Sequence, residues 1–406
     1  MRILIITPSL PYPPNWGFGI RVYQIARLLA RTHDVALLTY TAPGQEEHVA
    51  ALRAQGVDVH AVPSSNPHNR KQERRREQML SLASPVSYLT RSLYSRAMQQ
   101  EIDRLLAEKQ FDIVQMESTH LASFDLSKAG CVVVDEHNIE YELLYRMYKS
   151  ERSPWRRLFN WAEYVKFRRE ERRCWDHACA LVLTSDRERE IIAATWPGKA
   201  PVTVAPNGVD VEYFAPSAEP IDPNSLVYTG LMRYRPNIDA VVYFATEILP
   251  LIRQRRPDAT FTIVGAGPSI DVRELASDHV IVTGSVPDVR PYVARAAVNV
   301  VPLRMGSGTR LKVLEGLSME KPMVSTAVGC EGIDVHNGEH LLIADEPAAF
   351  ADAVLGLMDD RELAQRLGQA GRALTLERYA WESIVGGLDR FLAQVAGKPA
   401  AAVGGS

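Results

Sequence analysis

The sequence predicts an α/β protein of two domains, each a parallel β-sheet with helices on both faces. Three observations carry that expectation. Short continuous apolar runs alternate with segments of helical periodicity, the pattern of buried parallel strands joined by crossover helices. The alternation begins afresh after residue 206, and 406 residues are more than one compact core organises. In each half a strand runs into a glycine-bearing loop and then a helix, which places free backbone N–H groups and the positive end of a helix dipole where an anion can sit.

The first half opens with Ile3 to Thr7, a buried-strand run. The loop PSLPYPPNWGFG follows, and a helix is expected from Ile20 to Ala30 with Val22, Ile25, Ala26, Leu28 and Leu29 inward. Gly17 and Gly19 sit in that loop; without the third glycine of a dinucleotide fingerprint they do not announce NAD. Val35 to Thr39 and Val57 to Ala61 are further strands. Residues 66–110 are helical and basic, with nine Lys/Arg against five Asp/Glu. The strands DIVQM (112–116) and CVVVD (131–135) lead to Glu117, and to Glu136, His137 and Asn138. The C-terminal strand ends of an open α/β sheet face its ligand crevice, so these are candidate site residues. Residues 146–175 read as one long basic helix, ten Lys/Arg against four Glu, interleaved with Trp155, Phe159, Trp161, Tyr164, Phe167 and Trp175. Its aromatics either pack on the first domain or form, with 66–110, a surface for anionic lipid. Leu181 to Thr184 and Val202 to Val204 close the sheet, and Asn207-Gly208-Val209-Asp210 predicts a turn at the hinge.

The second half has strands at Ser225 to Thr229, Thr260 to Val264, Val280 to Thr283, Asn299 to Pro302, Met323 to Thr326 and Leu341 to Ile343, and a helix from Asp239 to Arg253. Gly230 follows the first of these strands and Gly265 the second. The stretch 302–338 carries most of the chemistry. A strand tail enters Met305-Gly306-Ser307-Gly308-Thr309, and a helix follows with Leu311, Leu314 and Leu317 on one face. Arg310 and Lys312 add two cations beside the loop, and Glu315 lies about one and a half turns on. Backbone amides, two cations and a carboxylate beyond them suit a nucleoside diphosphate, pyrophosphate on the loop and ribose on the carboxylate.

Composition bounds the remainder. A net charge of −3 offers no basic excess, and no nucleic-acid motif accompanies the basic segments, so nucleic acid is not an expected partner. Four cysteines without paired spacing give no zinc signal, and a reducing cytoplasm is the simplest compartment. The N-terminal apolar run is too short for a signal peptide, and no ~18-residue apolar stretch predicts a membrane span. The 397–406 tail is low in complexity and expected to lack order.

The stretch GSGTRLKVLEGLSMEKPMVST, with NGVD upstream, resembles the donor-binding segment of the family-4 retaining glycosyltransferases, group 1, which have the two-domain GT-B fold. Glu315 matches the second glutamate of the family's E-x7-E; Ser307 stands at the first. The resemblance implies two Rossmann-like domains facing across a cleft: 1–206, completed by a returning helix 380–396, binds the acceptor, and 207–379 binds the nucleotide sugar. It implies donor contacts at Gly17, Gly19, Gly230, Gly265, Val286, Ser307, Gly308, Thr309 and Glu315. His137 takes the place of a histidine over the donor hexose, with Glu117 and Asn138 on the acceptor side. Leu231 and Pro236 occupy positions where the family usually carries Arg and Lys. Arg310 and Lys312, with Arg233, are expected to neutralise the diphosphate instead.

The activity implied is metal-independent transfer of a sugar from a UDP- or GDP-sugar to a hydroxyl of a glycan or lipid-linked acceptor, without a cofactor, in the cytoplasm, either free or peripheral on the inner face of the plasma membrane. A nucleotide-sugar 2-epimerase and a non-enzymatic membrane-associated scaffold are the alternatives.

Overall fold

The computed structural model of the chain describes residues 1–64, 71–196, 198, 200–306 and 309–397. The predicted donor positions Ser307 and Gly308 lie outside the described residues, as do the start of the basic 66–110 segment and all but the first residue of the tail. Two compact units are present: Met1–Pro206 with Val385–Ser406, and Asn207–Ile384.

The first unit holds a seven-stranded sheet: β1 (Arg2–Thr7), β2 (Asp34–Thr41), β3 (Asp58–Pro63), β4 (Ile113–Glu117), β5 (Val132–Glu136), β6 (Ala180–Leu183) and β7 (Val202–Val204). Their order is β3-β2-β1-β4-β5-β6-β7, all parallel. Helices cover both faces, so Ile3, Leu4, Ile5 and Ile6 are all buried, which is why the strand reads as a continuous apolar run. The order reverses between β1 and β4, and such a reversal opens a crevice at the strands' C-terminal ends.

The second unit repeats the plan with six strands: β8 (Asp222–Thr229), β9 (Thr260–Val264), β10 (Val280–Gly284), β11 (Ala296–Val301), β12 (Met323–Ser325) and β13 (Leu342–Ile343). The order is β10-β9-β8-β11-β12-β13, again parallel, with the reversal between β8 and β11. Phe244 lies between Phe261 and Phe350 in its core, ring centroids 4.5 and 6.0 Å away.

Several local expectations are corrected. The helix expected from Ile20 begins at Gly17 and runs to Leu29, so Gly17 and Gly19 form its first turn and not a loop. Trp16 explains this: its backbone is extended, and its indole lies 2.7 Å from where a Cβ on Gly19 would stand. Glu117 and Glu136 are the last residues of β4 and β5, not the first beyond them. The single helix expected over 146–175 is two, Glu140–Ser150 and Pro154–His177. Pro154 forbids helix at Ser153, which is extended, and then starts the second helix at its first position. The described part of the 66–110 segment is helical as expected, over Lys71–Leu82, Tyr88–Leu93 and Arg96–Glu108. The helix expected from Asp239 begins at Arg235 on Pro236 and passes through a π turn, Phe244–Ile248.

The Asn207-Gly208 turn does not form. The Val209 N–H donates to the Tyr379 carbonyl at 2.8 Å, and a Cβ on Gly208 would stand 2.7 Å from that oxygen. Here pairing with the 379–380 segment outweighs local turn propensity. The helix Trp381–Val395 follows, and its Asp389 carboxylate lies 2.6 Å from His33 Nε2 in the first unit.

Candidate functional site

In the second unit the candidate residues gather where the strand order reverses. Gly230 follows β8, Gly265 follows β9, and the 302–306 segment leaves β11. These turns are close-packed: a Cβ on Gly265 would lie 1.6 Å from the Gly230 carbonyl oxygen, so only glycine fits. Gly230 N–H donates to Val264 at 3.0 Å and Gly265 N–H to Gly284 at 3.1 Å, fixing the three strand ends side by side.

Lys312 reaches across to this point from the helix Leu311–Ser318. Its ammonium donates to Tyr228 Oη at 2.5 Å and Asn237 Oδ1 at 2.9 Å, lies 3.9 Å from the Tyr228 ring centroid, and would stand 2.9 Å from a Cβ on Gly230. The Tyr228 hydroxyl in turn donates to Asn237 Oδ1 at 2.7 Å. Two of the three ammonium N–H bonds are thus directed to protein acceptors. Burial pulls the Lys312 ammonium down to about 7 and pushes the Glu315 carboxyl up to about 7; each group's charge partly offsets the other's shift. Among the described residues none donates a hydrogen bond to the Glu315 carboxylate. Arg310, nearly buried, places its guanidinium 3.8 Å from the Glu331 carboxylate and against Gly306, and burial lowers its proton affinity. Thr309 Oγ1 accepts from Asn207 Nδ2 at 3.2 Å. Val286 is half-buried against Val227, Val264 and Ala296. Arg233 is exposed beside Gly267. Leu231 is exposed and Pro236 is buried at a helix start, so neither supplies charge.

The first unit holds a second group at its own reversal. Glu117 is fully buried; Gln115 Nε2 donates to Oε1 at 2.8 Å, and His137 Nε2 lies 2.8 Å from Oε2. The Phe18 ring stacks on the His137 imidazole, centroids 4.4 Å apart. Burial, then the neighbouring Asp135 charge, pushes the Glu117 carboxyl up against the pull of His137 and Arg21. Asp135 is itself held by Arg21, whose Nε and Nη2 donate to its two oxygens at 3.1 and 2.8 Å while Nη1 donates to the carbonyls of Ala205 and Pro206 at 2.7 and 3.2 Å. Glu136 accepts from Trp175 Nε1 at 2.8 Å and from Thr119, and burial raises its carboxyl to about 7. Burial pushes the Glu140 carboxyl up to about 7, against the pull of Asn138 beside it. Within this unit the structure therefore brings His137, Glu117 and Phe18 together. It turns Glu136 into the support of Trp175, and it places Gly17 and Gly19 in the helix that carries Arg21.

Among the described residues, two groups of side chains have the spacing of a cation site: Glu117, Asp135 and His137, and the more exposed His336, Glu339 and His340. In the first, Arg21 already supplies a positive charge to Asp135.

Sequence reasoning missed Tyr228, Asn237, Arg21 and Asp135. Two of them left a signal. Arg21 shares the apolar face of its helix with Ile25 and Leu28, and Asp135 sits inside a run of valines; a buried charge at either position calls for a partner. Nothing in the spacing says that Lys312 crosses to β8.

The sequence matches the family model described as Glycosyltransferase Family 4 over residues 17–213 and that described as Glycosyl transferases group 1 over residues 223–360. It is 27% identical to the GDP-mannose-dependent alpha-(1-6)-phosphatidylinositol monomannoside mannosyltransferase of Mycobacterium tuberculosis, over 96% of this chain and 98% of that protein. Its structure is similar to that of sucrose-phosphate synthase from Thermosynechococcus elongatus (TM-score 0.68, 17% identity, 97% and 99% of the two chains). It is also similar to Anabaena HepE in complex with UDP and glucose (TM-score 0.66, 14% identity, 97% and 99%).

Proposed function

We propose, for a chain that belongs to the family-4, group 1 glycosyltransferases and has their GT-B fold, a reaction in which a sugar passes from a nucleoside diphosphate to an acceptor hydroxyl with retention at the anomeric carbon. The observation that carries this is Lys312, an ammonium held at the β8 turn by Tyr228 and Asn237 with one N–H bond to spare. An anion at that point would meet the ammonium, the Gly230 and Gly265 turns and the loop before Leu311. GDP-mannose, named for the mycobacterial protein, and the UDP bound to HepE support the same ligand class.

In this reading the diphosphate lies on the 305–310 loop with Arg310 and Lys312, and Arg233 is a further cation. Glu315 accepts from the ribose hydroxyls, and the base lies near Val286. The anomeric C–O bond to the diphosphate breaks. The acceptor oxygen bonds to the same face of the anomeric carbon, and its proton passes to the departing phosphate oxygen. Fixed cations and backbone dipoles stabilise the charge that develops on the leaving group, an electrostatic contribution that calls on no metal. His137, oriented by Glu117 and Phe18, serves the sugar side, with Asn138 beside it. The acceptor is a hydroxyl of a glycan or glycolipid, the class to which the phosphatidylinositol mannoside of the mycobacterial relative belongs.

The test is thermal stabilisation by UDP, GDP, ADP, CDP and dTDP, with and without magnesium. A ligand that binds only the folded state raises Tm by mass action. One nucleotide is expected to stand out, and equally so without magnesium. A flat panel overturns the donor assignment; stabilisation only with magnesium overturns metal independence.

A further inference from the structure

The helices Glu140–Ser150 and Pro154–His177 form a hairpin whose tip, residues 145–161, is solvated over most of its surface. Further along, the second helix is anchored on the first unit: Phe167 and Trp175 are buried, and Glu171 caps the amides of Glu140 and Tyr141 at 2.9 and 3.0 Å. The tip has a different character. Trp155 is 82% exposed, Leu158 52% and Trp161 48%, and their spacing of three residues puts them along one side of the helix. Met147 and Tyr145 are exposed on the facing helix. Around them stand Arg146, Lys149, Arg152, Arg156 and Arg157 against a single acid, Glu151, whereas residues 162–177 balance five cations with four acids. Arg146 pairs with Glu142 at 3.1 Å. Among the described residues none of Lys149, Arg152, Arg156 and Arg157 forms an ion pair. Lys149 and Arg157 lie over the Tyr148 ring at 5.8 and 5.2 Å, and an open hollow at the tip is lined by Tyr148, Arg152, Pro154, Arg157, Leu158 and Trp161.

A folded chain gains nothing by leaving two tryptophans and a leucine in water. A bilayer interface rewards that combination: indole rings settle at headgroup level, and cations beside them meet lipid phosphates. The charge excess selects an anionic surface, and no helix among the described residues is long and apolar enough to cross a membrane. We propose that the 145–161 hairpin tip docks this protein on anionic lipid bilayers, with Trp155, Leu158 and Trp161 entering the interface and Lys149, Arg152, Arg156 and Arg157 contacting headgroup phosphates. The docking needs neither donor nor acceptor, so it stands or falls apart from the proposed reaction.

The experiment is flotation of the full-length protein with vesicles of phosphatidylcholine alone or with phosphatidylglycerol at a tenth to a third of the lipid, without nucleotide. Tryptophan emission reports whether the indoles leave water. Binding is expected on anionic vesicles, with a blue shift, and little on phosphatidylcholine; it should weaken with salt. Each cation near an anionic surface contributes about 1 kcal/mol, so R152E/R156E/R157E should reduce binding at least about tenfold. W155A/L158A/W161A should reduce it and abolish the blue shift, and both variants should melt like the parent because every altered side chain is exposed. Equal binding of parent and charge-reversed protein overturns the proposal. So does failure to bind anionic vesicles, and so does a dimer, seen by sedimentation velocity, that W155A/L158A/W161A dissociates while vesicle binding is unchanged.

Discussion

If the proposed donor site is right, Lys312 and Glu315 should make donor binding a proton-exchange reaction whose sign changes with pH. Burial holds the Lys312 ammonium at about 7 in the free protein. A diphosphate charge placed ~4 Å away adds about 4 kcal/mol of attraction at an effective dielectric of 20, equivalent to ~3 pKa units. The bound amine would then titrate near ~10. At pH 8 about nine-tenths of the free protein carries neutral Lys312. Binding should therefore take up ~0.9 proton there, and affinity should fall about tenfold, ~1.4 kcal/mol, per pH unit between about 7 and 9. Glu315 acts in the opposite sense: burial raises it to about 7, and it must ionise to accept from ribose hydroxyls, so it releases a proton below that pH. A UDP- or GDP-sugar is the right probe, because its diphosphate diester has no proton to exchange in this range. Calorimetry in buffers of different ionisation enthalpy should give release at pH 6 and uptake at pH 8. Lys312→Met should remove the uptake at pH 8, and Glu315→Gln the release at pH 6. Uptake below ~0.3 proton at pH 8, or uptake that survives Lys312→Met, would refute the assignment of Lys312 to the diphosphate.

Other outcomes follow from the same geometry. Glu315→Ala should weaken donor binding by ~1–3 kcal/mol, the cost of a charged hydrogen bond, and unchanged affinity by calorimetry would remove the ribose from that carboxylate. His137→Ala should slow transfer while leaving nucleotide affinity nearly intact; a fully active variant would take His137 out of the site. Glu117→Gln should slow transfer and move its pH profile, since Glu117 reaches the reaction only through His137 Nε2. Asp135→Asn leaves the buried Arg21 guanidinium facing a neutral amide and two carbonyls, and should cost ~3–5 kcal/mol in denaturant unfolding; a change under about 1 kcal/mol would mean the pair contributes little.

The parallel strands of both sheets were within reach of the sequence, because a strand buried on two faces has to read as an unbroken apolar run and a crossover needs a helix's length of chain. The errors came where side-chain and backbone contacts overrule local preference. Gly17 and Gly19 resemble a loop, but the Trp16 indole occupies the space a side chain at 19 would need, so the glycines serve helix entry. Asn207-Gly208 has turn propensity, but the 379–380 segment offers its neighbour Val209 a backbone hydrogen bond instead. The break at 151–153 was legible: a residue before proline avoids the helical region, and Ser153-Pro154 states as much. The candidate site divides the same way. The 302–315 loop and helix declare their chemistry through glycine, cation and carboxylate spacing. The partners of Lys312 come from a strand and a helix start more than 70 residues away, and no periodicity connects them.

In the proposed site that long-range contact would also account for the departure at 231 and 236. Attraction for a diphosphate depends on where a charge ends, not on which element carries it. With Leu231 exposed and Pro236 occupied in starting a helix, the turn after β8 has no cation of its own among these positions. Lys312 reaches the turn from the other side of the strand-order reversal, and the residue beside Pro236, Asn237, holds it there. If this is the replacement, reintroducing the lost charge should be informative. Leu231→Arg in the parent should add little affinity, because the ammonium already stands at the Gly230 turn. In the Lys312→Met background it should restore a large part of what that substitution removes. Equal gains in both backgrounds, by calorimetry with the same nucleotide sugar, would show that positions 231 and 312 act on different parts of the ligand.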